Sequence, residues 1–410
     1  MNILIGNWAW RRVAGEWTYI ENLLRLYTNR GHHVIPFSMK HPGNQDAAQY
    51  EPYFIEHIDY IALSRRKNLS NSIRAVSTSV YSKEAKTKIE RLLSDHPVDV
   101  AHLHDVNHYL TPAILPVLKK RGIPIFWTLH DYTLICPEGT FNSRGRICEN
   151  CKGGLFYHCV LQKCKKASLL PSVLAAVENT VHTYSRVFRH VDYFLCPSEF
   201  LYNKFKEFNF YPEKLVLSNL CCEIEPQPVY QQPEPYIIYT GRLAKVKGLF
   251  TLLRAIKEVP VKLLIAGDGP EAAAVKDFIA ANGLARVGML GFQPKEALHR
   301  LVQEAVCLVC PSEWYENFPY AIIEAMLLKT PVIAAAIGGI PELVIHEQTG
   351  LLFGSGNWTA LRDQLLRLLA DKELQQTLAG KAYTRTRSIV DDKQHVKRLL
   401  PVYERAGLVL

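Results

Sequence analysis

The chain has 410 residues, of which 48% are hydrophobic, a length too great for one ordinary domain and suited to two or three. Residues 1–225 hold 27 Lys and Arg against 21 Asp and Glu, a net +6, and the remainder holds 21 against 18, a net +3. So mild a positive charge suits anionic small molecules or an anionic membrane surface and argues against nucleic acid as a partner. No secretory signal and no run of about 18 apolar residues is present, which predicts a cytoplasmic protein without a membrane span.

Short apolar runs alternate with helical patterns along the chain. In the first half we predict an amphipathic helix at 17–32 and strands at 1–6, 34–37, 98–104, 123–131 and 191–198. The same alternation begins again at residue 235. Strand–helix alternation of this kind predicts an α/β fold with two doubly wound domains, each a parallel sheet covered by helices.

The predicted domains are joined by a proline-rich segment. We assign residues 1–222 to the first domain and 237–384 to the second, and a linker at 223–236 contains four prolines. A final amphipathic helix at about 385–410 is expected to pack back on the first domain. Two such domains would face a central cleft, because ligands of open parallel sheets bind beyond the carboxyl ends of the strands.

Three motifs follow predicted strand ends. "GRLAKVKG" (241–248) places Arg242 and Lys247 in one loop, where two cations suit a diphosphate, although solvated surface charge is the alternative. "RVAGEWTYI" (12–20) would bring Gly15 to a helix N-terminus that favours anions. "TLHD" (128–131) ends a strand with His130, for which a structural role is the alternative. Neither a GxGxxG nor a GxxxxGK[ST] pattern follows a strand here, which argues against nicotinamide cofactors and P-loop chemistry.

The segment "PSEWYENFPYAIIEA" (311–325) contains two glutamates on either side of Pro319. Proline is favoured in the first turn of a helix, so Pro319 predicts a helix start. Glu316 then precedes the helix, and Glu324 lies about one and a half turns inside it. The two carboxylates would bracket a helix N-terminus that attracts anions, and solvated charge on a surface helix is the alternative.

The order of these motifs resembles glycosyltransferase family 4. The resemblance rests on "TGRLAKVKG", "LLIAGDGP", "LGF", "CPSEWYENFPYAIIEAMLLKTPVIAAAIGGIPELV" and "GLLF" in the second half. The first half is similar more loosely, through "AGEWTYI…RGHHV", "DVAHLHD" and "TLHDYTLICP". The family comprises retaining, nucleotide-sugar-dependent enzymes of the GT-B fold, which consists of two Rossmann-like domains facing a central cleft.

The resemblance implies roles for particular side chains of the second half. Arg242 and Lys247 would hold the donor diphosphate and stabilise its growing negative charge. Glu316 would bind a hydroxyl of the transferred sugar. Glu324 would accept hydrogen bonds from the ribose hydroxyls of the nucleotide.

Backbone contacts and one histidine complete the implied site. The backbone at Asn317 and Phe318 would support the sugar and phosphate, Gly15 would face the donor phosphates, and His130 would contribute to the reaction centre beside the sugar and the acceptor. The sequence departs from the family pattern in two places. Ala14 stands where the family often has a second glycine, and Asn-Phe-Pro at 317–319 stands where it often has Gly-Phe-Gly.

The implied reaction is transfer, with retention, of a sugar from a UDP- or GDP-linked donor to a glycan or lipid-linked acceptor. The expected setting is cell-surface polysaccharide biosynthesis in the cytoplasm, in peripheral contact with the inner face of the membrane, and no catalytic metal is expected. Two alternatives remain open. One is another GT-B enzyme, either a sugar-nucleotide epimerase or a phosphorylase, and the other is a catalytically silent protein that binds sugar nucleotides.

A cysteine-rich segment follows His130. Cys148, Cys151, Cys159 and Cys164 form a CxxC pair and a looser pair, and four thiolates from a short loop suit a structural zinc ion. Reduced cysteines packed as small apolar side chains, or a disulfide, are the alternatives. Three cations at 163, 165 and 166 could touch an anionic acceptor or a membrane, with solvated charge as the alternative.

Overall fold

The structure is a computed structural model that describes residues 1–13, 15–45, 47–57, 78–227 and 234–410. It divides into two compact units, Met1–Ser218 together with Val396–Leu410, and Asn219–His395. The predicted linker at 223–236 lies partly outside the described residues, and Ala14 lies outside them. Among the helices within the described ranges, none is long and apolar enough to cross a membrane.

The first unit contains a six-stranded parallel sheet with the order β2-β1-β3-β4-β7-β8. Its strands are β1 (Asn2–Gly6), β2 (His33–Phe37), β3 (Val100–Leu103), β4 (Ile125–Thr128), β7 (Tyr193–Cys196) and β8 (Leu215–Leu217), and β5 (Asn142–Ser143) with β6 (Arg146–Ile147) forms a small antiparallel hairpin. Its helices are α1 (Gly15–Asn29), α2 (Lys83–Asp95), α3 (Leu115–Lys120), α4 (Tyr157–Leu161), α5 (Leu169–Tyr184) and α6 (Glu199–Glu207).

The central strands of this sheet are buried on both faces. All four residues of β3 and all four of β4 are buried, as expected for a parallel sheet covered by helices. The two-residue alternation of a half-exposed strand is therefore missing, and the strands read as continuous apolar runs in the sequence. Helix α2 begins at Ser82, whose side chain caps the helix by accepting a hydrogen bond from the Ala85 N–H.

The C-terminal segment contributes to the core of the first unit. Helix α14 (Asp392–Arg405) places Tyr403 against β4, where its ring lies 4.8 Å from that of Phe126. The Tyr403 hydroxyl lies 3.0 Å from the Tyr27 hydroxyl on α1, and both side chains are fully buried. Residues 396–410 are therefore part of the first unit's packing, although they follow the second unit in the chain.

The second unit contains another six-stranded parallel sheet, with the order β11-β10-β9-β12-β13-β14. Its strands are β9 (Tyr236–Thr240), β10 (Lys262–Ala266), β11 (Val287–Gly291), β12 (Cys307–Cys310), β13 (Val332–Ala335) and β14 (Leu351–Phe353). Its helices are α7 (Leu249–Ile256), α8 (Ala272–Ala281), α9 (Lys295–Glu304), α10 (Tyr320–Leu327), α11 (Ile340–Leu343), α12 (Trp358–Ala370) and α13 (Lys372–Val390).

The strand order of this sheet reverses between β9 and β12. From β9 the chain proceeds to β10 and β11 on one side, and it then returns to β12 on the other side of β9. The loops that leave β9 and β12 thus diverge at the carboxyl edge of the sheet. Such a switch point is where open α/β sheets bind ligands.

Candidate active site

The two sides of this switch point carry residues that the sequence analysis singled out. Lys247 follows β9 in a short 3₁₀ turn, Lys245–Lys247, and Glu316 follows β12. Because β9 and β12 are neighbours, the two side chains meet, with Lys247 Nζ 2.7 Å from Glu316 Oε1. The contact joins residues that are 69 positions apart in the sequence.

Glu316 is held from two directions through one of its oxygens. Its Oε1 accepts hydrogen bonds from Lys247 Nζ at 2.7 Å and from the Ser312 hydroxyl at 2.5 Å. The side chain is only 6% exposed, and its Oε2 has no hydrogen-bond partner within the part of the chain that the structure describes. A buried carboxylate with one engaged oxygen retains capacity to accept a hydrogen bond from a ligand hydroxyl.

Two glycines allow the backbone to approach closely around this pair. Gly338 has φ +61°, and a Cβ there would lie 2.3 Å from the Glu316 carbonyl oxygen. Gly248 has φ +67°, and a Cβ there would lie 1.8 Å from the Pro311 carbonyl oxygen. At each position the left-handed conformation and the close contact exclude a residue with a Cβ atom. Glycine is therefore needed for the loops after β9 and β13 to pack against the loop after β12.

The loop before Glu316 is tied to the segment that carries Lys247. The Glu313 N–H donates to the Val246 carbonyl at 2.8 Å, and the Thr251 hydroxyl donates to the Glu313 carboxylate at 2.6 Å. Lys247 Nζ also lies 4.9 Å from the centre of the Trp314 ring, a cation–π contact. The sequence analysis assigned nothing to Ser312 or Trp314, because their proximity to Lys247 depends on the pairing of β9 with β12.

Arg242 and the backbone at Asn317 and Phe318 lie beside the same edge. Arg242 is exposed, and its guanidinium makes no hydrogen bond or ion pair with any residue that the structure describes. Asn317 and Phe318 are both 6% exposed and fill the turn between Glu316 and α10. Helix α10 begins at Tyr320 with Pro319 as its N-cap residue, so the predicted helix start is confirmed.

Glu324 lies in α10 and is buried. Its Oε1 is 3.8 Å from Nε2 of His299 on α9, too far for a hydrogen bond. His299 Nε2 is itself buried and without a hydrogen-bond partner among the described residues. A buried carboxylate and a buried imidazole nitrogen that approach without bonding leave polar atoms available to a ligand. His299 was missed in the sequence, where it reads as an ordinary helix residue.

Gly15 is the first residue of α1 and is exposed. A Cβ built there would meet nothing within 4 Å. Packing within the first unit therefore gives no steric reason for glycine at this position, in contrast to Gly248 and Gly338.

His130 is half-buried and lies with the buried His102 and His104 at the carboxyl ends of β3 and β4. His104 Nδ1 lies 3.1 Å from His130 Nε2, and the rings of His102 and His104 stack at 4.6 Å. His102 is bonded at both nitrogens, to the Tyr27 hydroxyl at 3.0 Å and the Thr128 hydroxyl at 2.7 Å. His104 Nε2 is buried and has no hydrogen-bond partner in the described part of the chain.

His104 and His130 contact each other as uncharged rings. Burial lowers the pKa of His130 to about 3 and lowers the pKa of His104 well below its ordinary value. Both rings are thus neutral at pH 7, and one must donate an N–H to the other. His104 therefore engages Nε2 of His130 in a hydrogen bond between two neutral rings. The sequence analysis identified His130 and missed this partner.

An acidic residue follows each of these histidines. Burial raises the pKa of Asp105 well above its ordinary value, and the nearby charge of Asp131 raises it further. Burial also raises the pKa of Asp131, whose carboxylate accepts hydrogen bonds from the Thr133 N–H and hydroxyl. Lys165 Nζ lies close by, donating to the carbonyls of Pro137 and Glu138 at 3.3 and 3.0 Å. Among the three predicted surface cations, Lys165 is thus engaged with other described residues.

The neutral state of His130 makes a testable contribution to stability. In the unfolded chain a histidine titrates near 6.5, whereas in the folded protein the pKa of His130 is about 3. The stabilisation is therefore complete above pH 6.5 and is lost as the pH falls towards 3, because only the unfolded state takes up the proton. Between about pH 7.5 and pH 5, we expect wild type to lose about 2 kcal/mol more of its unfolding free energy than His130→Asn.

Urea unfolding followed by tryptophan fluorescence at the two pH values measures this difference. The carboxyls of Asp105 and Asp131 titrate in both proteins, so their contributions largely cancel. Equal pH dependence of the two proteins would show that His130 is not held neutral.

The four cysteines that were predicted to bind zinc lie close together in the structure. Cys148, Cys151, Cys159 and Cys164 line one small cavity, together with Cys136. The Cys159 and Cys164 thiols are hydrogen-bonded to each other, while the Cys148 thiol lies 3.6 Å from the Gln162 side-chain oxygen and the Cys164 thiol 3.5 Å from the Ser143 hydroxyl. Throughout the described ranges, no group of three or more His, Cys, Asp or Glu residues is arranged to hold a metal ion. The zinc ion stays a prediction, and none of the four cysteines forms a disulfide with another described residue.

Comparison with known families gives two matches that together span most of the chain. The model described as Glycosyltransferase Family 4 matches residues 13–218, about half of the chain. The model described as Glycosyl transferases group 1 matches residues 223–385, which include Lys247, Glu316 and Glu324.

Individual proteins are similar over nearly the whole length. N-acetyl-alpha-D-glucosaminyl L-malate synthase of Bacillus anthracis is 28% identical over 412 residues, covering 98% of this chain and 96% of its own. Sucrose-phosphate synthase of Thermosynechococcus elongatus has the same fold, with a TM-score of 0.71 at 19% identity over 99% of both chains. So does HepE of Anabaena, solved with UDP and glucose, with a TM-score of 0.66 at 17% identity over 98% of this chain and 99% of its own.

Proposed function

Because the chain belongs to glycosyltransferase family 4 and has the GT-B fold, it is a glycosyltransferase, and we propose that it uses a UDP- or GDP-linked sugar and retains the anomeric configuration. The observation that carries this proposal is the ion pair of the half-buried Lys247 with the buried Glu316 at the switch point of the second sheet. A cation and a half-engaged carboxylate beside the start of a helix suit a diphosphate joined to a hydroxyl-bearing sugar.

Each part of the donor has a matching group in the second unit. Lys247 and the exposed Arg242 would neutralise the diphosphate, and the Trp314 Nε1–H, buried and unpartnered among the described residues, would donate to a donor oxygen. Glu316 Oε2 would accept from a sugar hydroxyl. Glu324 would accept from the ribose, and His299 Nε2 would supply a further polar contact there.

The proposed reaction exchanges one bond at the anomeric carbon. The bond from this carbon to the diphosphate oxygen breaks, and a bond to the acceptor oxygen forms on the same face. The leaving diphosphate takes the acceptor proton, so no carboxylate has to act as a base. Lys247, Arg242 and the N-terminus of α10 would stabilise the charge that develops on the diphosphate. In the first unit, Gly15 would face the donor phosphates. The neutral ring of His130 would contribute to the reaction centre.

The comparisons favour a UDP donor over a GDP donor. HepE, a structural neighbour, was solved with UDP-glucose, with UDP, and with UDP and glucose. For the acceptor we propose a glycan or a lipid-linked glycan used in cell-surface polysaccharide biosynthesis. The enzyme would work in the cytoplasm, in peripheral contact with the inner face of an anionic membrane.

A thermal-shift screen against UDP- and GDP-linked sugars tests the proposed donor. We expect a UDP-sugar to raise the melting temperature, since a ligand at a hundredfold excess over its dissociation constant adds about 2.7 kcal/mol of stability. Hydrolysis of that donor, or transfer to an added glycan, then separates an enzyme from a silent binding protein. If no nucleotide and no nucleotide sugar shifts the melting temperature, the proposed donor site is wrong.

A further inference from the structure

Helix α5 in the first unit presents an apolar face to solvent. Its exposed side chains include Leu169, Val173, Val177 and Val181, spaced four residues apart along one side of the helix. Leu170 and Tyr184 extend this set and are 58% and 77% exposed. We call these six side chains the α5 apolar face. A continuous apolar stripe on a surface helix normally points into the core, so its exposure requires an explanation.

The opposite side of α5 is buried and carries Ala175 and Ala176 together with four polar side chains. Of these four, Ser172 and Asn179 bond carbonyls one turn earlier, whereas Glu178 and His182 bond residues of other segments. Glu178 bonds His108 at 2.9 Å, and His182 bonds the Val80 carbonyl at 2.8 Å. The helix is therefore inverted relative to an ordinary amphipathic helix. Its orientation is held by satisfied polar contacts, so a simple rotation that buries the apolar face would break them.

Neighbouring segments enlarge the apolar surface. Leu155, Tyr157 and Leu161, in and before α4, are 46%, 54% and 68% exposed, and α4 packs against α5. At the other end, Val181 also lines a cavity of about 280 Å³ with Tyr81 and Pro112. Two tyrosines lie among the exposed side chains, and tyrosine is enriched where proteins meet the interface of a bilayer.

The charges around this surface have one sign. Residues 139–186 contain seven Lys and Arg but only Glu149 and Glu178 as acids. Neither acid is exposed, because Glu149 pairs with Lys204 at 2.8 Å and Glu178 with His108. Lys163 and Lys166, in the loop between α4 and α5, are exposed. Both have a positive φ, of 51° and 53°, although neither is glycine. Such strained conformations persist where the surrounding structure holds them and often mark functional loops.

We propose that the α5 apolar face, with Leu161 and the lysines at 163 and 166, docks the protein on a membrane that contains anionic lipids. Apolar side chains would enter the headgroup region while the cations contact lipid phosphates. A second copy of this chain fits less well as the partner. A symmetric contact through this face would bring the cationic loops of the two copies together, and residues 139–186 contain no exposed carboxylate that could pair with them. The proposal rests on the proposed membrane contact, but its test does not use sugar transfer.

Vesicle co-sedimentation of the full chain tests the docking surface. We expect binding to vesicles of phosphatidylcholine with phosphatidylglycerol and little binding to phosphatidylcholine alone. Lys163→Gln with Lys166→Gln should lower the partition coefficient about thirtyfold, since each basic residue near an anionic surface contributes about 1 kcal/mol. Leu161→Gln with Leu170→Gln should lower it at least tenfold by removing apolar burial, as an order-of-magnitude expectation.

Matched controls lie in the second unit. Lys372→Gln with Lys381→Gln is the control for the lysine variant, and Leu366→Gln, at a partly exposed position, is the control for the leucine variant. Both controls should bind vesicles as wild type does. The nucleotide-sugar thermal shift, measured on every variant, separates a failed fold or donor site from a failed docking surface. Wild type that stays in solution with anionic vesicles, or surface variants that bind as wild type does, would overturn the proposal. A dimer seen by analytical ultracentrifugation and dissociated by the leucine variants, without vesicle binding, would also overturn it in favour of a contact between copies.

Discussion

Replacing Lys247 by alanine is expected to lower the turnover number by about 10²–10³, the cost of losing one well-placed group that stabilises developing charge. The ammonium lies at the switch point of the second sheet, 2.7 Å from Glu316 and over the Trp314 ring. If it holds the donor diphosphate, its loss also weakens binding of the nucleoside diphosphate product. Initial rates and thermal shifts with the donor found in the screen measure both effects.

Lys245→Ala is the matched control for this variant. Lys245 belongs to the same 3₁₀ turn, carries the same charge and is exposed. Since no role in the site is assigned to Lys245, that variant should turn over at close to the wild-type rate. Near-normal turnover in Lys247→Ala would disprove the diphosphate assignment, and an equal loss in both variants would show that only the overall charge of the turn matters.

Replacing Glu316 by glutamine is expected to lower turnover by about 10² with little change in the binding of the nucleoside diphosphate alone. The amide keeps the size of the side chain but loses the charge-assisted hydrogen bonds from Lys247 and Ser312, which are stronger than neutral ones. The sugar hydroxyl would then meet a weaker and less firmly oriented acceptor. Kinetics with the sugar donor and thermal shifts with the free nucleotide separate the two effects.

Glu324→Gln provides the reciprocal comparison. It should weaken binding of the free nucleotide, because Glu324 is proposed to contact the ribose and not the sugar. Glu373→Gln, an exposed position on α13, controls for the loss of one negative charge in the same unit. If Glu316→Gln and Glu324→Gln affected nucleotide and sugar alike, the division of roles between the two carboxylates would be wrong.

Much of the fold could be predicted because the chain is locally consistent. Short apolar runs such as "VAHL" and "IFWT", set between helical patterns, are typical of strands in a covered parallel sheet, and both are buried strands. Pro319 and Gly248 mark helix starts by backbone geometry that depends on the residue itself. The domain boundary at 222 stays a prediction, and the structure divides into two compact units after Ser218.

The partners of the site residues could not be predicted in the same way. Nothing local pairs Lys247 with Glu316, or His130 with His104, since each contact exists only because two strands distant in sequence lie side by side. The resemblance to a family placed the first pair in one site without explaining how they meet. The resemblance did not point to His104, His299 or Trp314, whose buried nitrogens have no hydrogen-bond partner among the residues that the structure describes.

The sequence by itself determined the α/β class, the repeated strand–helix order and the side chains at the strand ends, because these depend on short-range hydrophobic periodicity and backbone preference. Only the tertiary structure decided which strands are neighbours, and therefore that Lys247 and Glu316 form an ion pair. It likewise decided which side of α5 is buried. By hydrophobicity alone its leucines and valines belong in the core, but the hydrogen bonds of Glu178 and His182 turn them towards solvent.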